Sequence, residues 1–384
     1  MKPLKVMTVF GTRPEAIKMA PLVKELESRE EIRAIVAVTA QHRQMLDQVL
    51  EIFDIRPDYD LDIMKERQTL TDITSNVLQG LYRVIGEAQP DIVLVHGDTT
   101  TTFAGALAAF YQQVAVGHIE AGLRTYDKYS PFPEEMNRVL TGSLCDLHFS
   151  PTVQNKNNLL KENKDGSRIF ITGNTVIDAL KTTVRKDYQF ANETLGKLDF
   201  SKKIIVVTAH RRENLGQPLQ NICRAVKRLA TEFTEQVQVV YPVHLNPAVR
   251  ETAFSILGEV ANVKLIDPVD VCELHNLMDR AYLVMTDSGG LQEEAPSLGK
   301  PVLVLRNETE RPEAVAAGTV KIAGVEETAI YEMGKTLLTD PKAYDQMAKA
   351  VNPYGDGFAS KRSVDAILYH FGLRQDRPAD WITA

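Results

Sequence analysis

The sequence predicts an α/β protein of two open parallel sheets, and three observations carry that prediction. Short apolar runs rich in Val and Ile alternate with amphipathic stretches along nearly the whole chain, the pattern of parallel strands joined by crossover helices. The alternation lapses in one polar, weakly patterned stretch, NETLGKLDFSKK (residues 192–203), and then restarts. Polar and charged residues crowd the positions just after the apolar runs, where open parallel sheets present loops and helix N-termini to ligands.

In the first half the expected strands are KVMTVF, RAIVAVTA, DIVLVHGD, VAVGHIEA, LHFSP and RIFITGN, with helical patterns between them such as LTDITSNVLQGLYRVIGEA and TTTTFAGALAAFYQ. The second half supplies KIIVVTAH, VQVVYPVH, VKLIDP, YLVMTD, PVLVLR and TVKIAG. The expected domains are residues 1–172, completed by 358–384, and 173–357. The punctuated stretch NPYGDGFAS precedes one last helical pattern, KRSVDAILYHFG.

Bulk composition narrows the function. The chain has 384 residues, 44% hydrophobic and 25% charged, which suits a globular protein with room for two domains. Its formal net charge of −7 argues against the broad basic footprint of a nucleic-acid binder, while leaving room for a local basic pocket. Cys145, Cys223 and Cys272 are far apart and form no C-x-x-C pair, so neither a disulfide framework nor a zinc site is expected. The chain enters directly on a strand pattern without a charged-then-apolar leader, and no apolar run approaches bilayer-spanning length. A cytoplasmic protein without membrane attachment is the expectation.

The strand-end residues are an unusual set: Gly11-Thr12-Arg13, Gln41-His42-Arg43, His96-Gly97-Asp98, His118-Ile119-Glu120, His210-Arg211-Arg212, His244 and Asp287-Ser288-Gly289-Gly290. Five of the eight histidines fall there, which directs the search for chemistry to these turns. GTRPEAIKMAP reads as a strand-to-helix turn in which Arg13 and Lys18 flank a helix N-terminus, a setting for phosphate. An ordinary glycine turn with a solvated arginine explains the same residues. Neither a dinucleotide fingerprint nor a P-loop is present in this turn. In TDSGGLQEEAPSLGKP, Ser288, Gly289 and Gly290 open a helix whose N–H groups favour phosphate oxygens. Glu293 and Glu294 in its first turns are placed to grip a ribose diol, or simply to complement the helix dipole.

HGDTTTTFAGALAAF sets Asp98 at a strand end before four threonines that capping alone accounts for. Asp98 with Glu120 forms a carboxylate pair, an arrangement that separates pKa values into an acid and a base. Glu134 and Glu135 follow Pro133 at a helix start, and for Glu135 a plain structural role is expected. His210, Arg211, Arg212 and His244 form a positive wall suited to a diphosphate or to proton donation.

Together GTRPE, HGDT, HIEAGLRT, PEEMNR, HRREN and TDSGG closely resemble, in order and over essentially the whole chain, the bacterial non-hydrolysing UDP-N-acetylglucosamine 2-epimerases. The resemblance implies two Rossmann-like domains facing a cleft, as in the GT-B glycosyltransferases, with the last helix crossing back to the N-terminal domain. It implies reversible interconversion of UDP-N-acetylglucosamine and UDP-N-acetylmannosamine for cell-envelope polysaccharide synthesis, with no cofactor, no metal and a homodimeric assembly. By the same resemblance Asp98, Glu120, Glu134 and His210 are catalytic and Arg124 orients the carboxylates. Arg13, Lys18, Leu274, His275, Ser288, Gly289, Gly290 and Glu294 bind the UDP-sugar. Gln41, His42, Gln44, Arg67, Arg212 and His244 form a second, activating UDP-N-acetylglucosamine site, or else line the substrate pocket. A retaining glycosyltransferase, a hydrolysing epimerase and a catalytically silent UDP-sugar sensor are the rival readings. The acid cluster disfavours the sensor, since binding a dianion gains nothing from nearby negative charge.

Overall fold

The strands read from the sequence are near-continuous runs of Val, Ile and Leu, the composition of parallel strands covered by helices on both faces. A computed structural model of the chain describes residues 2–40, 43–63 and 68–382. The chain forms two compact units, one comprising Met1–Lys181 and Tyr354–Ala384 and the other Thr182–Pro353.

The first unit contains β1 (Leu4–Phe10), β2 (Ile32–Val38), β3 (Tyr59–Asp60), β4 (Ile92–His96), β5 (Ala115–Ile119), β6 (Leu147–Ser150) and β7 (Ile169–Ile171). They form one sheet in the order β3-β2-β1-β4-β5-β6-β7, with every pairing parallel. Ile92, Val93, Leu94 and Val95 have no exposed surface, because helices cover both faces of this central strand. Chain order reverses between β1 and β4, so their C-terminal loops diverge and leave a crevice at the switch point. GTR follows β1, and Gly97 and Asp98 follow His96, the last residue of β4.

The second unit contains β8 (Lys203–Thr208), β9 (Val237–Pro242), β10 (Val263–Ile266), β11 (Leu283–Thr286), β12 (Val302–Val304) and β13 (Val320–Ile322). Its order is β10-β9-β8-β11-β12-β13, again entirely parallel, with the switch between β8 and β11. HRREN and SGG follow those two strands.

Two differences from the sequence reading have local causes. Strand β3 was not expected; it is a two-residue edge strand paired through Ala37 and Tyr59, too short to carry a period. Most strands stop one or two residues earlier than their apolar runs, so the polar groups after them lie in the loops. The final helix, Ala359–His370, belongs to the first unit: Val364, Ala366, Ile367 and Leu368 share a core with Ala16, Met19 and Leu22 of helix Arg13–Glu27. Among the described residues, no helix is long and apolar enough to cross a membrane.

Candidate active site

In the first unit the turn after β1 is tight because Gly11 has no side chain: a Cβ there would lie 1.9 Å from Thr39 Oγ1. Thr12 and Glu15 close a capping box on helix Arg13–Glu27. Glu15, 2% exposed, does more than cap. Its Oε2 accepts from Gly11 N (3.0 Å), Thr12 N (2.8 Å) and Thr12 Oγ1 (2.8 Å), and its Oε1 from Thr99 Oγ1 (2.6 Å) and Thr102 Oγ1 (3.3 Å). The turns after β1 and β4 are thereby joined through one carboxylate. Arg13 occupies the first position of the helix, and Lys18, one turn beyond Glu15, carries its ammonium to Glu120.

Glu120 is the first residue after β5. Its φ of 63° is left-handed, an uncommon and costly conformation for a non-glycine residue, and one that surrounding structure must impose. Only 8% of the side chain is exposed. Its Oε2 accepts from Lys18 Nζ and from Asn174 Nδ2 (2.9 Å), and His96 Nε2 stands 3.5 Å away. The parallel register that pairs His96 with Ile119 puts these two strand ends side by side. His96 is 3% exposed, and neither ring nitrogen has a hydrogen-bond partner among the described residues. A buried imidazole in that state is available to a substrate or to water. His118 Nε2 donates to Gly97 O at 2.7 Å and so fixes the turn between His96 and Asp98. Burial pushes the His118 imidazole pKa down to about 3, which keeps it neutral.

Asp98 is held by Arg138: the guanidinium Nη2 donates to Asp98 Oδ2, and Asn137 Nδ2 donates to the Asp98 main-chain oxygen (2.9 Å). Glu134 is the first residue of the same helix, Glu134–Leu144, and its Oε2 is buried without a hydrogen-bond partner among the described residues. Glu135 accepts from Thr125 N (3.1 Å), Tyr126 N (2.9 Å) and Arg138 Nη1 (3.3 Å), and so anchors the loop after β5. Arg124 differs from its expected role. Its guanidinium is fully buried and makes a two-pronged pair with Glu162 (2.6 and 2.9 Å), so it fastens this loop to the helix Val153–Lys161 region rather than orienting Asp98, Glu120 or Glu134.

In the second unit, Asp287 locks the switch point. It is wholly buried, and its Oδ2 accepts from His210 N (2.8 Å), Arg211 N (2.8 Å) and Asn214 Nδ2 (3.0 Å). Thr208 and Thr286 hydroxyls meet at 2.6 Å between the two strands, and Thr286 Oγ1 also accepts from Ser288 N (2.9 Å). Ser288, Gly289 and Gly290 then lead into the short helix Leu291–Ser297. A Cβ at Gly289 would lie 3.7 Å from Arg311 Nη2 and 3.8 Å from Arg211 Nη2, so two guanidinium groups flank this glycine. Arg311 is oriented by Glu293 and Arg211 by the Asp287 carbonyl (3.0 Å). Backbone amides with paired guanidinium groups suit a diphosphate.

Glu294 Oε2 lies 3.3 Å from His275 Nε2, and the other ring nitrogen of His275 meets Thr183 Oγ1 at 2.6 Å. Leu274 is half-buried beside it on helix Val271–Asp279. His210 and His244 stack, with ring centroids 4.9 Å apart and 16° between planes. Partial desolvation lowers the His210 pKa from its ordinary value, opposed by Asp287 and reinforced by His244 and Arg211. Asn246 N donates to His244 Nδ1 (3.0 Å), leaving the proton on Nε2. Arg212 is exposed on a single 3-10 turn. Gln41, His42 and Arg67 lie outside the described residues, as does the Gln44 side chain.

The sequence reading passed over Asn174, Arg138 and Arg311. Asn174 follows β7 in RIFITGN and met the same strand-end criterion as Glu120. Arg138 lies inside PEEMNR, where the two glutamates are the stronger chemical signal. Arg311 carries no local signal, since it reaches Glu293 from another loop.

A family model described as UDP-N-acetylglucosamine 2-epimerase matches residues 24–368. The UDP-N-acetylglucosamine 2-epimerase of Bacillus subtilis (strain 168) is 62% identical over 378 residues, which cover 98% of this chain and 98% of that one. The crystal structure of UDP-GlcNAc 2-epimerase from Neisseria meningitidis bound to UDP-GlcNAc has a TM-score of 0.88 at 52% identity, covering 95% of this chain and 100% of that one. The enzyme of Methanocaldococcus jannaschii in complex with UDP-GlcNAc and UDP has a TM-score of 0.77 at 31% identity, over the same shares of the two chains. The parallel sheets and the strand-end carboxylates therefore belong to a chain of the UDP-N-acetylglucosamine 2-epimerase family.

Proposed function

We propose that the protein is an isomerase that interconverts UDP-N-acetylglucosamine and UDP-N-acetylmannosamine at C2 by elimination and re-addition of UDP. The observation that carries this reading is the environment of Glu120: a nearly buried carboxylate at a strand end, with an ammonium, an amide and an imidazole around it. C2 of the sugar is not adjacent to a carbonyl, so its proton is a poor acid. Loss of the anomeric UDP, before or during proton removal, builds positive character on the ring and acidifies that proton. Three tasks follow: neutralise the departing UDP, take the C2 proton on one face, and supply one on the other.

Glu120, Asp98 and Glu134 are the acid/base groups. Ser288, Gly289 and Gly290 take the diphosphate with Arg211 and Arg311 beside them. His210 steadies or protonates the leaving group, and Glu294, Leu274 and His275 serve the nucleoside. Arg13 and Lys18 complete the UDP-sugar ligands, Lys18 by way of its contact with Glu120. The bound UDP-GlcNAc in the Neisseria relative supports the substrate. A retaining glycosyltransferase would instead need an acceptor pocket and would leave the donor's C2 configuration untouched.

The test is proton NMR of UDP-N-acetylglucosamine in heavy water with the enzyme. UDP-N-acetylmannosamine should appear still nucleotide-bound and carrying deuterium at C2. Glu120→Gln should lower turnover by roughly 10²- to 10⁴-fold with little loss of binding. Inversion with the original hydrogen retained would falsify the mechanism, and accumulation of free sugar would point to the hydrolysing reaction.

Three further parts of the reading rest on family resemblance. The enzyme works as a homodimer in the cytoplasm, its product feeds cell-envelope polysaccharides, and Gln41, His42, Gln44, Arg67, Arg212 and His244 hold an activating UDP-N-acetylglucosamine. A monomeric mass by sedimentation overturns the first. A hyperbolic rate curve for UDP-N-acetylmannosamine alone, insensitive to traces of the other epimer, overturns the last.

A further inference from the structure

Asn174 is 2% exposed, and each of its polar groups has a separate partner within the first unit. Its Oδ1 accepts from Val176 N at 3.2 Å and so caps the start of helix Thr175–Thr183. That acceptor bond settles the orientation of the carboxamide: the oxygen faces the helix, so Nδ2 faces Glu120, to whose Oε2 it donates at 2.9 Å. Its main-chain N–H donates to Tyr354 O at 2.6 Å. The loop is further confined where Gly173 and Gly355, both at positive φ, pass each other. A Cβ on Gly173 would lie 3.1 Å from both Gly355 Cα and Tyr354 O. One contact independent of Glu120 holds the side chain itself, and two more hold the backbone that carries it.

The contacts of Lys18, Asn174 and His96 all converge on one oxygen of Glu120. Lys18 is a long, rotatable point charge that neutralises without fixing direction. A short planar carboxamide on a confined loop does fix it. The Asn174 donor on Oε2 constrains the rotation of the carboxylate about its Cγ–Cδ bond, and hence the direction of Oε1. Proton transfer to or from carbon is sensitive to such alignment.

We infer that Asn174 is a positioning residue for Glu120: its amide N–H, anchored by the Val176 amide and the Tyr354 carbonyl, sets the carboxylate in the orientation that exchanges the C2 proton. This rests on the acid/base reading of Glu120.

Asn174→Asp separates positioning from scaffolding, because aspartate caps a helix as well as asparagine and has the same shape, yet cannot donate to Glu120 when ionised. The full-length enzyme with Asn174→Asp should keep a melting temperature close to that of the parent. Its kcat should fall at least ~10-fold with KM changed less than ~3-fold. The acid limb of its kcat–pH profile should move to higher pH, since Glu120 has lost a donor and gained a like charge. Asn174→Ala removes the cap as well and should melt lower, yet retain more kcat than Asn174→Asp because it adds no repulsion. Asn174→Ser, which keeps a helix cap but removes the donor without adding charge, should also lose kcat, which a purely structural asparagine would not do. If Asn174→Asp does not fold, Asn174→Ser carries the same kcat test, since serine caps the helix but ends short of the carboxylate. A kcat within ~3-fold of the parent for Asn174→Asp, or a smaller loss than for Asn174→Ala, overturns the inference. Glu120→Gln assayed alongside separates the two levels: if it keeps full turnover the acid/base reading fails, whereas an inactive Glu120→Gln with a fully active Asn174→Asp removes only the role of Asn174.

Discussion

Glu15 offers the sharpest test of how the first unit holds its candidate site, because one buried side chain joins the turns after β1 and β4. Its carboxylate takes two backbone N–H groups and the Thr12 hydroxyl on one oxygen and two threonine hydroxyls on the other. Replacing Glu15 by Gln keeps the shape and one acceptor oxygen. The oxygen can stay on the Gly11 and Thr12 amides, while the new NH2 faces Thr99 and Thr102, whose hydroxyls can turn to accept. The one Thr102 hydroxyl proton is shared between Glu15 Oε1 (3.3 Å) and the nearer His96 O (2.5 Å), so turning it wholly to His96 O costs little. The loss is then charge assistance alone, about 1–2 kcal/mol. Glu15→Ala instead strands the Gly11 and Thr12 amides, and at about 1–3 kcal/mol for each buried orphan the total is about 4 kcal/mol.

For a unit of this size each kcal/mol shifts the melting temperature by about 2–4 °C, so Glu15→Gln should lower it by about 2–8 °C and Glu15→Ala by about 8–16 °C. Thermal unfolding followed by circular dichroism reads both numbers. Activity should follow the same order, since Lys18 lies one turn beyond Glu15 and Asp98 directly precedes Thr99. A Glu15→Ala protein that melts within 2 °C of the parent and keeps its turnover would refute the argument that this carboxylate ties the turns together.

Other parts of the structure give tests of the same kind. Burial depresses the His118 pKa to about 3 and the His148 pKa to about 4, whereas unfolded imidazoles bind protons from about pH 6.5 downward. The unfolded chain therefore gains protons first, and stability should fall as pH drops below about 6.5, by up to about 1.4 kcal/mol per pH unit for each ring. Urea midpoints at pH 7 and pH 5 measure this, and a His118→Gln, His148→Asn double variant should show a flatter slope whatever its stability at pH 7. In the second unit, Asp287→Asn keeps an acceptor for the His210 and Arg211 amides and should weaken UDP binding only slightly. Asp287→Ala leaves three donors unpaired and should cost about 3–5 kcal/mol of stability and most of the affinity for UDP by calorimetry. Equal effects from the two substitutions would contradict the role given to its Oδ2.

The sheets were legible because a parallel strand is buried on both faces and writes itself as a run of Val and Ile, as IVLV in β4 does. The site was legible in outline for a related reason: where such a run stops, the next polar residue stands at the ligand end of the sheet. That rule located Glu120, Asp98, His210 and Ser288. It could not reveal pairings between distant loops. Arg124 is 38 residues from Glu162, and nothing in HIEAGLRT distinguishes an arginine that orients catalytic acids from one that bolts a loop to a neighbouring helix. The left-handed backbone at Glu120 was equally hidden, since a glutamate carries no local preference for it.

That backbone conformation connects the fold to the chemistry. An extended residue at position 120 would continue the alternation of β5 and send the carboxylate to one face of the sheet, among the helices. A left-handed residue breaks the alternation at the last step and directs the side chain off the strand end, where Lys18 and Asn174 meet it. The cost, of order 1–3 kcal/mol, is offset by neighbours that are themselves buried and hydrogen-bonded. Main-chain Gly97 N donates to Ile119 O (2.9 Å), and Ala121 N donates to Phe149 O (3.0 Å), so the residues on either side of Glu120 are tied to β4 and β6. With both flanks fixed by the sheet, residue 120 has no freedom to relax, and the strand end converts the rigidity of a parallel core into the direction of one carboxylate.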